Sequence, residues 1–187
     1  AKIRNRIQTR KLTFKVGYTV ALERAVENIS GGRKPDVSIV QAQKQSKLAL
    51  EVLKLDRDAR LAAGKLLPNI ACSAKLKTWD WRKQGRITPI RSQKCGNCWA
   101  YASLSAYESS YLIKRNKVLD GSEQYVVSNN NNGAGACEPP GGRSDLANEF
   151  LVLNGTTSES IMPDLGITGT ADPSIASPYE AIVWGWA

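Results

Sequence analysis

From Gln93 to Arg115 the chain reads QKCGNCWAYASLSAYESSYLIKR, two cysteines in a glycine loop that runs straight into helix-favouring sequence. Residues Trp99 to Arg115 carry Ala and Leu at helical density and close on Lys114 and Arg115, cations where the helix dipole favours them. This arrangement predicts that Cys98 stands at the amino end of a helix. The chain must therefore build a fold in which one long helix carries a thiol at its first turn.

Three chemistries compete for such a thiol. A structural zinc site needs four soft or imidazole ligands, yet only the isolated Cys72 and Cys137 remain beside the C-x-x-C pair, and the chain has no histidine. A redox dithiol fits the spacing but calls for a βαβ context that the sequence lacks. A nucleophile uses more of the surrounding residues. The helix dipole favours a thiolate, Gly96 lets a substrate backbone approach closely, and the Gln93 side-chain amide can donate to an oxyanion. Taken alone, Gln93 reads equally well as an ordinary loop amide.

Charge divides the chain. Residues 1–77 carry a net +11 and residues 78–187 a net −2, within a total of +9. Lys2, Arg4, Arg6, Arg10, Lys11 and Lys15 form a basic arm, but no recognition motif accompanies it, so nucleic acid is not the expected partner. A solvated face complementing an acidic body is the simpler reading. No apolar run approaches the roughly 20 residues that span a bilayer.

Within the basic segment, Leu48, Val52, Leu55, Ala59 and Ala62 recur at helical spacing, which predicts a helix over Ser38–Ala63 with that stripe as its packing face. Lys54 and Asp58 are placed to pair outside it. Gly64 and Pro68 end this helix. A shorter helix is expected over Thr19–Asn28, stopped by Gly31, Gly32 and Pro35. Neither displays a chemical constellation, so the segment reads as a cover. Farther on, Ser122 caps a brief helix through Val127, another helix follows Gly142 to Leu151, and Ala181–Trp186 alternates like a strand.

The run WDWRKQGRITPIRSQKCGNCWAYASLSAYESSYLI, with GSEQ at 121–124 and Cys137 before Gly141 and Gly142, resembles the papain-like cysteine peptidases. The stretch FKVGYTVALERAVENISG is similar to prosegments of bacterial members. The resemblance implies an α+β, papain-like fold. Residues 1–77 would be a helical prosegment and 78–187 the helical half of the peptidase domain, with the β-rich half largely missing. It makes Cys98 the nucleophile and Gln93 the oxyanion-hole glutamine. Gly96, Trp99, Gly141 and Gly142 become substrate-binding residues, and Cys95 bridges to Cys137. No metal or other cofactor is implied.

The pattern also departs from the family. Only Lys94 separates Gln93 from Cys95, and Pro139 and Pro140 lengthen the gap before Gly141. Asn129 stands where a second disulfide would begin. Cys72 has no evident partner, and a cut freeing the body is expected between Gly64 and Thr78. The family's catalytic histidine and its orienting asparagine come from the other half of the fold, whereas this chain contains no histidine. The expectation is thus a fragment or one chain of a split endopeptidase that takes peptide or protein substrates and needs the missing half as partner. The alternative is an inactive relative that binds. The absent initiator Met and the bridged cysteines lead us to expect a processed chain in a secreted or otherwise oxidising compartment.

Overall fold

A computed structural model describes residues 2–13, 17–18, 23–26, 29–65 and 77–186. Among these residues five helices appear in chain order: α1 (Lys2–Thr9), α2 (Ile39–Ala62), α3 (Cys98–Arg115), α4 (Glu123–Asn129) and α5 (Ser144–Leu153). Among the described residues the β structure consists of isolated bridges only.

Helices α3, α4 and α5 form the body. Trp99, Ala100 and Leu104 face inward from α3, meeting Tyr125, Val126 and Val127 from α4 and Ala147, Phe150 and Leu151 from α5. Spacings of one, three and four residues give α3 and α5 a buried stripe, whereas α4 is buried continuously from Glu123 to Val127. Phe150, at 1% exposure, packs its ring 6.3 Å from that of Tyr125. Ser122 accepts from the Tyr125 N–H and so starts α4, while Asn116 ends α3 in the left-handed conformation.

Helix α2 lies outside this body. Its start is fixed by a capping box in which Ser38 and Gln41 satisfy one another's backbone, and Gly64 follows its last turn with φ +64°. The packing face differs from the expected stripe. Leu48, Leu55, Ala59 and Ala62 are exposed, whereas Gln45, Ser46, Ala49, Val52, Leu53, Asp56 and Arg60 turn inward. The reason is the surface that receives the helix, which is the extended segment 182–186 and not an apolar helix face. Gln45 Nε2 donates to the Trp184 carbonyl at 2.8 Å, and Ser46 Oγ exchanges bonds with the Trp186 carbonyl and N–H at 2.9 and 3.0 Å. Accordingly, Ala181–Trp186 is not a strand. Asp58 pairs with its neighbour Arg57, not with Lys54.

Residues 19–22, 27–28 and 66–76 lie outside the described residues, and with them most of the expected Thr19–Asn28 helix, Cys72 and nearly all of the expected cut region. The described residues 23–26 of that stretch are not α-helical. Part of the basic arm forms α1, all of whose residues remain at least partly exposed.

Candidate active site

A disulfide joins Cys95 to Cys137. This leaves the CGNC loop with one thiol, Cys98, half-buried at the first residue of α3. The C-x-x-C spacing is therefore neither a redox dithiol nor a metal pair, and among the described residues no cluster of three or more potential metal ligands occurs.

The site is built from main chain brought unusually close. Gly96 N–H donates to the Cys137 carbonyl at 3.0 Å, tying the cysteine loop to the loop that carries Gly141 and Gly142. Gly142 bridges Gly135 on one side. Beneath it lies the Trp99 ring, to which a Cβ on Gly142 would approach within 2.4 Å, so only glycine fits. Trp99 is 1% exposed, and its indole N–H donates to the Ala136 carbonyl at 3.2 Å. It forms the floor under the glycine edge and reaches the cleft only through Gly142.

On its other side Gly142 pairs with the basic N-terminal segment, residues 1–77, called the leader below. Gly32 and Gly142 form a parallel bridge, with Gly142 N–H donating to Gly31 O at 2.7 Å and Arg33 N–H to Gly142 O at 2.6 Å. Gly31 N–H points at Cys98 Sγ, 3.2 Å away. A Cβ on Gly31 would lie 1.7 Å from the Gly96 carbonyl oxygen, and one on Gly141 would lie 2.0 Å from the Gly31 carbonyl. The cleft is thus filled by leader backbone. Reading Gly31 and Gly32 only as a helix stop missed this role; the signal was a second glycine pair matching the one in the body.

Gln93 donates from Nε2 to the Cys95 carbonyl at 2.8 Å, spanning the shortened Gln93–Lys94–Cys95 loop. The Gln93 carbonyl in turn accepts from Arg24 Nη1 of the leader at 2.6 Å. Lys94 is held from behind, its Nζ donating to the Asp164 carbonyl at 2.6 Å. The Asp164 carboxylate, 3% exposed, accepts from Tyr101 Oη at 2.8 Å and from Asn97 Nδ2 at 3.4 Å, bracing the start of α3. The same 164–172 loop reaches Asn129, whose Oδ1 accepts from the Asp172 N–H at 3.0 Å. Where the family pattern has a disulfide cysteine, this chain has a hydrogen bond to that loop.

Two residues before Gln93, Arg91 anchors the segment among carboxylates. It meets Glu108 at 3.0 Å, Glu123 at 3.2 Å and Asp120 at 2.5 Å. One guanidinium does not offset the desolvation of the two buried acids, Glu108 and Glu123. Burial pushes Glu123 up to about 8, assisted by Glu159 and Glu108 and opposed by a backbone hydrogen bond and Arg91. Burial likewise raises Glu108 and Glu159.

Residues 76–179 match the model for the papain family cysteine proteases. The chain belongs to that family. Among curated relatives, a senescence-specific cysteine protease of Arabidopsis thaliana is 36% identical over 120 residues, covering 63% of this chain and 34% of the relative. A KDEL-tailed cysteine endopeptidase of the same plant is 41% identical over 97 residues, covering 51% and 26%. The chain therefore spans about a third or less of these relatives. Among solved structures, the bromelain protease from Ananas comosus, in complex with an inhibitor, matches at TM-score 0.50 and 31% identity over 56% of this chain and 48% of that one. A recombinant stem bromelain precursor aligns with 97% of this chain and 52% of its own at TM-score 0.65 and 23% identity, a likeness of fold. The fold is the helical, left-hand half of the papain architecture.

Proposed function

We propose that this chain is part of a cysteine endopeptidase precursor that hydrolyses peptide bonds through an acyl-enzyme on Cys98. Residues 1–77 act as the prosegment and residues 78–187 as the helical half of the peptidase domain. The observation that carries this reading is the setting of Cys98 Sγ at the head of α3, beside the Gly142 edge and beneath the backbone of Gly31.

Substrate backbone pairs with Gly142 once the leader has left. The Cys98 sulfur attacks the scissile carbonyl carbon, and negative charge on its oxygen is met by the Cys98 N–H and the Gln93 amide. Collapse of the adduct forms a thioester and expels the amine, which takes a proton from an imidazolium. Water then cleaves the thioester, releasing the acid and restoring the thiol. The imidazole, and the asparagine that orients it, come from polypeptide outside these 187 residues, since the chain has no histidine. Without them, hydrolysis is slower by on the order of 10³ to 10⁶. The Cys95–Cys137 bridge supports folding in an oxidising compartment, secreted or equivalent.

The test is alkylation of Cys98 by iodoacetamide in the protein expressed with its full reading frame, after removal of the leader, at about pH 5 to 6, where an ordinary thiol of pKa about 8.5 is protonated. Rapid modification, lost in Cys98→Ser together with peptide hydrolysis, is the expected result. Modification no faster than that of a small-molecule thiol identifies an inactive binding relative instead.

A further inference from the structure

The cleft has two walls, and they come from separate loops. Residues 93–98 carry the oxyanion side chain and the thiol, while residues 137–142 lead to the glycine edge. The disulfide and the Gly96–Cys137 bond join the walls from within. Behind them a single segment, 164–172, which is neither helix nor strand, reaches both.

At one end of this segment the buried Asp164 holds the first wall. Its carbonyl takes the Lys94 ammonium, and its carboxylate takes the Tyr101 hydroxyl and the Asn97 amide, so residues on either side of Cys95 and Gly96 are drawn to one point. Asn97 in turn supplies the carbonyl that accepts from the Ala100 and Tyr101 N–H groups at 2.9 and 3.2 Å, the opening bonds of α3. Gly166, with φ +72°, lies flat against Lys94, where a Cβ would come within 2.7 Å of the Lys94 Cβ. At the other end Thr168 holds the second wall. Its Oγ1 accepts from the Cys137 N–H at 3.0 Å and donates to the Glu138 carboxylate. Between the two ends the segment is clamped to α4. Gln124, 1% exposed, accepts from the Leu165 N–H at 2.8 Å and donates to the Ile167 carbonyl at 2.9 Å, and Ser128 Oγ donates to the Thr168 carbonyl at 2.7 Å.

We propose that segment 164–172 is the frame that sets the two walls against each other, with Asp164 a positioning residue for the thiol and the oxyanion donors and Thr168 a positioning residue for the glycine edge. This rests on the reading of Cys98 as the nucleophile. The turn between Gln93 and Cys95 is shortened to one residue, and its Arg24 contact departs with the leader, whereas the hold on Lys94 stays. In the second wall Pro139 and Pro140 lengthen the loop, and Thr168 fixes the two residues that precede them. The ends therefore act on different parts of the reaction. Shifting the thiol or the oxyanion donors removes stabilisation made only in the transition state, which lowers kcat. Shifting the glycine edge weakens substrate and transition state alike, which raises KM.

Kinetics of peptide hydrolysis, in the protein expressed with its full reading frame and freed of its leader, separate the two ends. Asp164→Ala is expected to lower kcat about tenfold to a hundredfold with KM within about twofold. Asp164→Asn keeps an acceptor for Tyr101 and recovers most of that loss, and Lys94→Met, at an exposed side chain, gives a smaller loss of the same kind. Thr168→Val keeps the shape without the hydroxyl and is expected to raise KM about fivefold to tenfold with kcat little changed, while Thr168→Ser restores it. Amide exchange in the same protein reads the ends without chemistry: Asp164→Ala speeds it at Ala100 and Tyr101, and Thr168→Val at Gly96 and Cys137. The proposal is overturned if the folded variants change neither constant, or if each lowers kcat and raises KM in equal proportion, as general loosening would. It is equally overturned if Ala100 and Tyr101 exchange as slowly in Asp164→Ala as in the parent. Exchange that follows the expected pattern in a protein that hydrolyses no peptide would retain the frame and remove the peptidase reading.

Discussion

The body and the leader are held by different means. In the body, α3, α4 and α5 bury Trp99, Leu104, Val126, Phe150 and Leu151 around one core, and a disulfide closes the loops above it. In the leader, α2 buries Ala49 alone, against Gly185, and hydrogen-bonds to backbone, while the stretch over Cys98 fits glycine against glycine. Ile39, Val40, Leu50, Leu55 and Leu61 of α2 remain exposed. The contrast teaches which part is built to stay. Apolar burial makes the body cooperative, whereas an attachment through main chain and small residues can be undone without disturbing that core.

The largest effect that would sharpen this contrast lies in the body. Phe150→Ala should cost about 3 to 5 kcal/mol in denaturant unfolding, as for a fully buried aromatic, while Leu55→Ala on α2 should stay within about 0.5 kcal/mol. Comparable losses at both positions would mean that leader and body share one core.

A second effect separates them by pH. Glu123 has a folded value of about 8 against an ordinary 4.5. The folded body therefore holds a proton that the unfolded chain releases. Its contribution is fully present below about 4.5 and is lost as pH rises toward 8. Glu108 and Glu159 act in the same direction. Thermal unfolding across that window should show stability falling with rising pH, and Glu123→Gln should flatten the slope. An unchanged slope in the variant would move the proton elsewhere.

The smallest effect belongs to the leader. Ser38→Ala removes the capping box of α2 and should cost about 1 kcal/mol locally, read as faster amide exchange in the first turn of α2 with no change in the body. Global unfolding at a shifted midpoint would contradict the separation.

Much of the fold was legible because its signals are local. Ser38, Ser122 and Gly64 mark helix ends through their own backbone requirements, and the run after Cys98 is helical by composition. The site was legible through residues that stand together in sequence, namely Gln93, Gly96, Cys98 and the Gly141–Gly142 pair. What failed depended on distant partners. The face of α2 is chosen by the backbone of 182–186, which no periodicity within α2 reveals. Ala181–Trp186 alternates like a strand but finds a helix beside it, not a strand. The roles of Asp164, Arg24 and Gly31 appear only when loops far apart in sequence meet.

The two adjacent glycines of the leader also serve as an index mark. Were the crossing displaced one residue so that Ser30 stood where Gly31 stands, its Cβ would run into the Gly96 carbonyl. Displaced the other way, Arg33 would bring its side chain over the sulfur where Gly32 now leaves space. A featureless ribbon of main chain is thereby threaded through the groove in a single alignment, set by two missing side chains.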